Sequence, residues 1–534
     1  MRTVLAIVAA GFLAMALATG AGVPESHSKA QLEVATETGI VRGVAVPELP
    51  QGAAFLGIPY AAQPVGPLRW HAPEAAPAWK GVRDAAEFGP ACPQAPSPWL
   101  PEMLGIAKMR TDEACLYVNV WTPNLHAQQK LPVLVWVHGG GNVEGSGEWP
   151  PLGPALAQQG IVVVSLNYRL GVFGFYADPA LDRESPHHVS GNYGHLDQIA
   201  ALMWVRRNIA RFGGDPAKVT IAGESSGALD ICNLMASPLA AGLFRGAVME
   251  SGVCVDSLFP DLREVETSDA ALAKDGGVAA GSGSLAALRA LPAERILDAA
   301  ADDGALDFEP AIDGWVLPRQ PALTFARGQQ AKVAVLVGSN ESEVSIFASP
   351  LVGGHSNRPT TVAAYRAWLE KKFPLLADRV FAVYPAQMDA EVPVAFRTMF
   401  TDYDFAFGAW LLARDAAPTG KDAYLYRFTY VGRGPFAALG AFHSEELMFL
   451  SRHYWTSWIP QPDDAALSKA IIGYWTRFVK TGNPNGSGLN EWPPFRQGGQ
   501  AQELGHRIAP EAIPRQEGFE LFQQYLDSRL KKTP

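Results

Sequence analysis

Short runs that are apolar at nearly every position recur along the chain, with helical patterns between them. Leu131–Val137 (LPVLVWV), Ile161–Leu166 (IVVVSL), Val219–Ala222, Ala247–Met249, Val333–Val337 and Tyr424–Tyr430 are of this kind. A strand with one wet face alternates apolar and polar residues, whereas a strand covered on both faces does not. These runs therefore predict parallel strands enclosed between helices. Leu196–Ile209 reads as an amphipathic helix that stops near the Gly213-Gly214 breaker. Strands alternating with helices predict an α/β doubly wound sheet. Residues 271–301 are rich in Ala and Gly and read as helices joined by a GSGS turn, and Pro90–Pro101 reads as a surface loop. The 534 residues show no repeat and no clear linker. A single domain over 23–534 with long insertions is expected, although ~150 residues per domain would suggest three or four.

The N-terminus reads MRTVLAIVAAGFLAMALATGAG. Arg2 supplies a positive start, Val4–Leu17 an apolar stretch, and Ala16-Leu17-Ala18 a small-residue cleavage site. This predicts a signal peptide over residues 1–18, with the cut falling as late as residue 22, and an exported, periplasmic or extracellular protein. No cysteine follows to carry a lipid and no later run is long enough to span a bilayer, so no stable membrane anchor is expected. Lys and Arg total 43 against 53 Asp and Glu, a formal charge of -10, and no basic run exceeds two residues. That balance argues against nucleic acid as a partner. Oligomeric state is not legible.

Residues 219–227 read VTIAGESSG, and a helical segment over Ala228–Met235 follows. The pentapeptide Gly223-Glu224-Ser225-Ser226-Gly227 thus joins a strand to a helix. G-x-S-x-G in this setting places a serine hydroxyl on a sharp, strained corner above the sheet. Ser225 is the expected nucleophile. Ser226 is the rival hydroxyl, but glycines do not flank it on both sides. His138-Gly139-Gly140-Gly141 follows another apolar run. Backbone amides there, unobstructed by side chains, suit the negative oxygen of an acyl-transfer intermediate. The expected donors are the amides of Gly140, Gly141 and Ser226. No metal-ligating constellation or nucleotide loop appears, so no cofactor is implied.

These motifs, together with FLGIPYAAQPVGPLRW (Phe55–Trp70), CLYVNVWTP (Cys115–Pro123), NYRLGVFGF (Asn167–Phe175), GNYGHLDQIAALMWVRRNIARFGGDPAKVTIAGESSG (Gly191–Gly227) and TGNPN (Thr481–Asn485), resemble the type-B carboxylesterase/lipase family, the cholinesterase-like α/β-hydrolases. The resemblance covers nearly all of the chain after its leader. It implies an α/β-hydrolase fold with a mostly parallel sheet, and a site at the sheet's C-terminal edge.

The resemblance also implies a Ser-acid-His triad. Counting from Gly338, the family position of the acid falls on Glu343 in VAVLVGSNESEVSIF, with Glu341 the alternative. His443 in GAFHSEELMFL matches the segment that carries the catalytic histidine, and His453 is the alternative. Cys92 and Cys115 match a family disulfide closing a loop over the entrance to the site. Cys232 and Cys254 match no usual bridge; two buried free thiols are favoured over a nonstandard bridge. Glu224 and Ser251 match a buried polar network. Three residues depart from the family pattern. Asn142 stands where an aromatic residue is common and could leave room or a polar contact near the acyl site. Ser226 stands for Ala. Ala114 stands for an acid, with the neighbouring Glu113 retained and available to pair with Arg69.

The expected activity is hydrolysis of a small-molecule carboxylic ester. Three alternatives stay open: a lipase or polyester hydrolase acting at an interface, an esterase specialised for a natural product or xenobiotic, and a non-catalytic, neuroligin-like binding protein. The acyl and alcohol groups are not legible.

Overall fold

The computed structural model describes residues 32–95, 109–278, 284–302, 308–348, 358–416, 419–455, 458–496 and 499–532. The expected signal peptide lies outside these residues, as does much of the loop between Cys92 and Cys115. Eleven strands form the central sheet. In chain order they are β1 (Val44–Val46), β2 (Leu49–Pro59), β3 (Tyr117–Thr122), β4 (Leu131–Val137), β5 (Val162–Leu166), β6 (Gly214–Glu224), β7 (Gly246–Glu250), β8 (Ala334–Asn340), β9 (Ala423–Phe428), β10 (Ala501–Leu504) and β11 (Ile508–Glu511). Their spatial order is β1-β2-β3-β5-β4-β6-β7-β8-β9-β10-β11. From β5 across to β10 every neighbouring pair is parallel. Antiparallel pairs lie only at the margins. Glu33–Ala35, Ile40–Arg42 and Val82–Asp84 form a small separate sheet.

The apolar runs are explained by β4. Val133, Val135 and Val137 enter the core on one face, while Leu134 and Trp136 enter the core on the other. Successive strand side chains point to opposite faces, so a strand with helices on both sides must be apolar throughout. The covering helices include α1 (Tyr193–Asn208), α2 (Ser226–Ala236), α3 (Phe407–Ala416), α4 (Glu445–Ser451) and α5 (Asp464–Thr481). Short helices Leu272–Asp275, Ser284–Ala290 and Ala293–Asp302 occupy the Ala/Gly-rich stretch; residues 281–283 of its expected turn lie outside the described residues.

The helix expected over Leu196–Ile209 is present as α1, but its pattern differs from a simple amphipathic one. Only the stripe at Leu196, Ala200, Met203, Arg206 and Arg207 is open or half-open to solvent. Polar residues lie on the buried side: Asp197, at 0% exposure, holds Arg169 in a two-pronged ion pair at 2.7 and 2.8 Å. A paired, hydrogen-bonded charge can be buried where a lone one cannot. No helix among the described residues is long and apolar enough to cross a membrane.

Both pairs of cysteines are disulfide-bonded. Cys92–Cys115 agrees with the bridge that the resemblance implies. Cys232–Cys254 corrects the expectation of two free thiols. Cys232 lies on α2, and Cys254 follows β7, the strand beside β6, from which α2 departs. Adjacency of these elements brings the two Cα atoms to 5.5 Å, within bridging range.

Candidate active site

Ser225 sits between β6 and α2 with φ 57° and ψ -128°. This is a sparsely allowed conformation for a residue with a side chain, of the kind that costs ~1–3 kcal/mol and persists only when its surroundings enforce it. Here the Ser225 N–H donates to Glu250 O at 2.8 Å, and its carbonyl accepts from the Ala228 and Leu229 amides at 3.0 Å each. The flanking glycines are required by close approach. A Cβ on Gly227 would collide with the Val137 and His138 carbonyls, and one on Gly223 would lie 2.7 Å from Val137 O. Ser225 Oγ makes no hydrogen bond within the described residues.

The glycine turn after β4 lies against this corner. Gly140 and Gly141 have φ of 107° and 64°. Their amides and the Ser226 amide donate to no acceptor among the described residues. His138 fixes the turn. Burial lowers its pKa to about 4, so the ring is neutral; it bonds Gly139 O through Nδ1 at 2.8 Å and stacks on Tyr168.

Asn142 lines the cavity beside Ser225 and makes polar contacts of its own there. Its φ of 60° is one that Asn tolerates better than most side chains. Its side-chain amide donates to Asp230 at 3.0 Å and accepts from Tyr168 at 3.1 Å, and its N–H donates to Ser226 Oγ at 3.1 Å. Ser226 Oγ therefore braces the glycine turn. The expected Arg69–Glu113 pair is present as a two-pronged bond of 2.7 and 2.6 Å.

Glu343 and His443 come together from 100 positions apart. Glu343 begins the short 3-10 turn after β8 and accepts the Asn340 N–H at 2.7 Å through Oε1. Its Oε2 lies 2.7 Å from His443 Nδ1. The alternatives are elsewhere. Glu341 pairs with Arg427 at the surface, and His453 is exposed.

His443 Nε2 lies 3.1 Å from Glu224 Oε1, the same oxygen that accepts a hydrogen bond from Ser444 Oγ at 2.5 Å. Burial disfavours the imidazolium, but Glu224 and then Glu343 outweigh it and raise His443 to about 9. Glu224 itself is pushed up by burial and by Glu343, against the pull of His443. Ser251, the other residue singled out for this network, is fully buried with φ 54°, and its Oγ has no hydrogen-bond partner among the described residues.

Several nearby residues were not legible from motifs. Glu250, raised to about 8 chiefly by burial, accepts the Trp475 indole N–H at 2.8 Å. Glu446, three residues past His443, accepts from Asn340 Nδ2 at 2.5 Å and is held well above the carboxylate range by burial and its acidic neighbours. Phe347 and Phe405 place their rings 5.0 and 5.3 Å from the His443 ring. Ser225, Ser226, Gly141 and Ser251 line a cavity of about 340 Å³. Among the described residues no group of three or more His, Cys, Asp or Glu is placed to hold a metal ion.

A mostly parallel sheet with a strained serine at the C-terminal end of a central strand defines an α/β-hydrolase. The carboxylesterase family profile matches residues 30–517, and the chain belongs to that family. It is 36% identical to the fumonisin B1 esterase of Sphingopyxis macrogoltabida over 499 residues, 89% of this chain and 86% of that protein. It is 36% identical to the para-nitrobenzyl esterase of Bacillus subtilis (strain 168) over 462 residues, 83% and 88% of the two chains. A solved PNB esterase structure superposes with a TM-score of 0.77 at 33% identity, covering 92% of this chain and 99% of the other. The protein is a carboxylic ester hydrolase.

Proposed function

We propose that the protein is an exported serine esterase working through an acyl-enzyme on Ser225, within one catalytic domain spanning 23–534. The observation that carries this reading is the 2.7 Å bond between His443 Nδ1 and Glu343 Oε2, beside a strained strand-to-helix serine. In the first step Ser225 Oγ attacks the ester carbonyl while neutral His443 takes its proton at Nε2. The carbonyl oxygen becomes negative and is held by the amides of Gly140, Gly141 and Ser226, each such donor being worth about 3–4 kcal/mol in the transition state. His443 then returns the proton to the departing alcohol. Water, deprotonated by the same nitrogen, attacks the acyl-enzyme and frees the acid. Glu343 keeps the imidazole in the tautomer with its proton on Nδ1 and stabilises the imidazolium.

Nε2 faces Glu224 in the free enzyme, so the first step needs that nitrogen to turn to Ser225 Oγ when substrate arrives. Catalytic hydrogen bonds commonly tighten only in the substrate complex. Export is supported by the two disulfides, which persist in oxidising compartments. The substrates are small-molecule esters, in keeping with the cavity beside Ser225. Ser225→Ala is expected to reduce p-nitrophenyl butyrate turnover by roughly 10⁴-fold or more with the fold intact. A folded Ser225→Ala enzyme with full activity would overturn the proposal.

A further inference from the structure

The cavity at Ser225 is acidic. Asp256, Asp404 and Glu309 line it together with Ser225 and Ser251, and no Lys, Arg or His is among its described lining residues. Two of these carboxylates are built into one corner. Asp404 lies on a π-helical turn, Asp402–Ala406, that runs directly into α3. Such turns are rare and are frequent at functional sites. About one turn further on is Gly408, and a Cβ there would collide with Asp256 Oδ2. The Asp256 carboxylate therefore occupies the gap left by the missing side chain, next to the turn that carries Asp404. Burial and then Asp404 push Asp256 well above the usual carboxylate range, and Asp404 is raised by burial, against Lys372 and His443. Asp404 is nevertheless open to the cavity. Its chain neighbours Tyr403 and Phe405 line the same space, and Lys372 Nζ lies 4.9 Å from the centre of the Tyr403 ring. Ser251, whose fully buried Oγ has no partner among the described residues, lines the same cavity.

We propose that Asp256 and Asp404 form a subsite for a cationic group, an ammonium or guanidinium, carried by the ester that Ser225 attacks. Burial and mutual repulsion disfavour the charged form of both carboxyls when the cavity holds only solvent, and an incoming cation favours it. An anionic group in the same half of the ester meets the like charge of Asp256 and Asp404. The inference rests on the reading of Ser225 as nucleophile.

The test measures kcat/KM on matched esters. For the acyl half these are p-nitrophenyl 6-aminohexanoate, p-nitrophenyl heptanoate and mono-p-nitrophenyl pimelate. For the alcohol half, 2-(trimethylammonio)ethyl thiobutyrate is compared with 3,3-dimethylbutyl thiobutyrate. In one of the two halves the cationic ester is expected to exceed its neutral isostere by at least roughly tenfold, as charge-assisted contacts in a dry site allow. Asp404→Asn and Asp256→Asn should each lower that ratio, and the double variant should abolish it. A mutation-free arm compares n-hexylammonium with 1-hexanol as competitive inhibitors of p-nitrophenyl butyrate hydrolysis, with the ammonium expected to bind more tightly. Neutral esters cleaved as well as cationic ones in both halves, or a preference surviving in the double variant, would overturn the subsite while leaving the esterase reading intact. A wild-type enzyme that cleaves none of these esters would overturn both.

Discussion

Glu224 Oε1 lies 3.1 Å from His443 Nε2, the nitrogen that the proposed mechanism requires to be neutral and free to accept the Ser225 proton. A carboxylate there favours the imidazolium, and with Glu343 on the other nitrogen it raises His443 to about 9 despite burial. The proposed mechanism needs the neutral ring, so kcat/KM should climb with pH toward an apparent pKa near 9. Glu224→Gln removes one stabilising charge, lowers the histidine pKa and should move the rising limb down by about 1–2 pH units. An unmoved limb would show that Glu224 does not set the protonation of His443.

Glu343 and Glu341 are two residues apart but stand in different surroundings. Glu343 is fully buried on His443 Nδ1, whereas the Glu341 side chain is 44% exposed on Arg427. Glu343→Gln is expected to lower kcat by roughly 10⁴-fold, because the amide favours the wrong tautomer. Glu341→Gln should leave kcat within about threefold, since exposed ion pairs contribute little. Steady-state kinetics on p-nitrophenyl butyrate checks both, and equal losses would contradict the assignment of the acid.

The Cys232–Cys254 bridge joins α2, which begins just after Ser225, to the segment leading to Asp256. Among the described residues no cysteine is free, so thiol titration of the unreduced, denatured protein should find no thiol, and full reduction should release four. Removing this bridge by Cys232→Ala with Cys254→Ala opens a loop of sequence separation 22 and should cost about 3 kcal/mol of stability by denaturant unfolding. Two titratable thiols before reduction would contradict the pairing.

The sheet was legible because burial on both faces imposes apolar residues at every position, as in β4. The Ser225 corner and the glycine turn were legible because their chemistry demands glycines at set spacing. His443 and Glu343 required family position, since nothing local joins residues that only the fold brings together. Glu250, Glu446, Asp256 and Asp404 carry no motif: each matters through what a distant element places beside it. The state of Cys232 and Cys254 likewise depended on strand and helix adjacency that spacing alone does not specify. α1 misled in one respect, because its one buried carboxylate, Asp197, is tolerated through its pairing with Arg169.

The central claim is that Ser225 Oγ becomes covalently acylated. A chromogenic p-nitrophenyl alkylphosphonate tests it directly by trapping the attacking oxygen. One equivalent of p-nitrophenol per active chain should be released as activity is lost, and peptide mass spectrometry should place the phosphonyl group on Ser225, with none incorporated in Ser225→Ala. Labelling of another residue with equal loss of activity, or stoichiometric labelling that survives Ser225→Ala, would contradict the account.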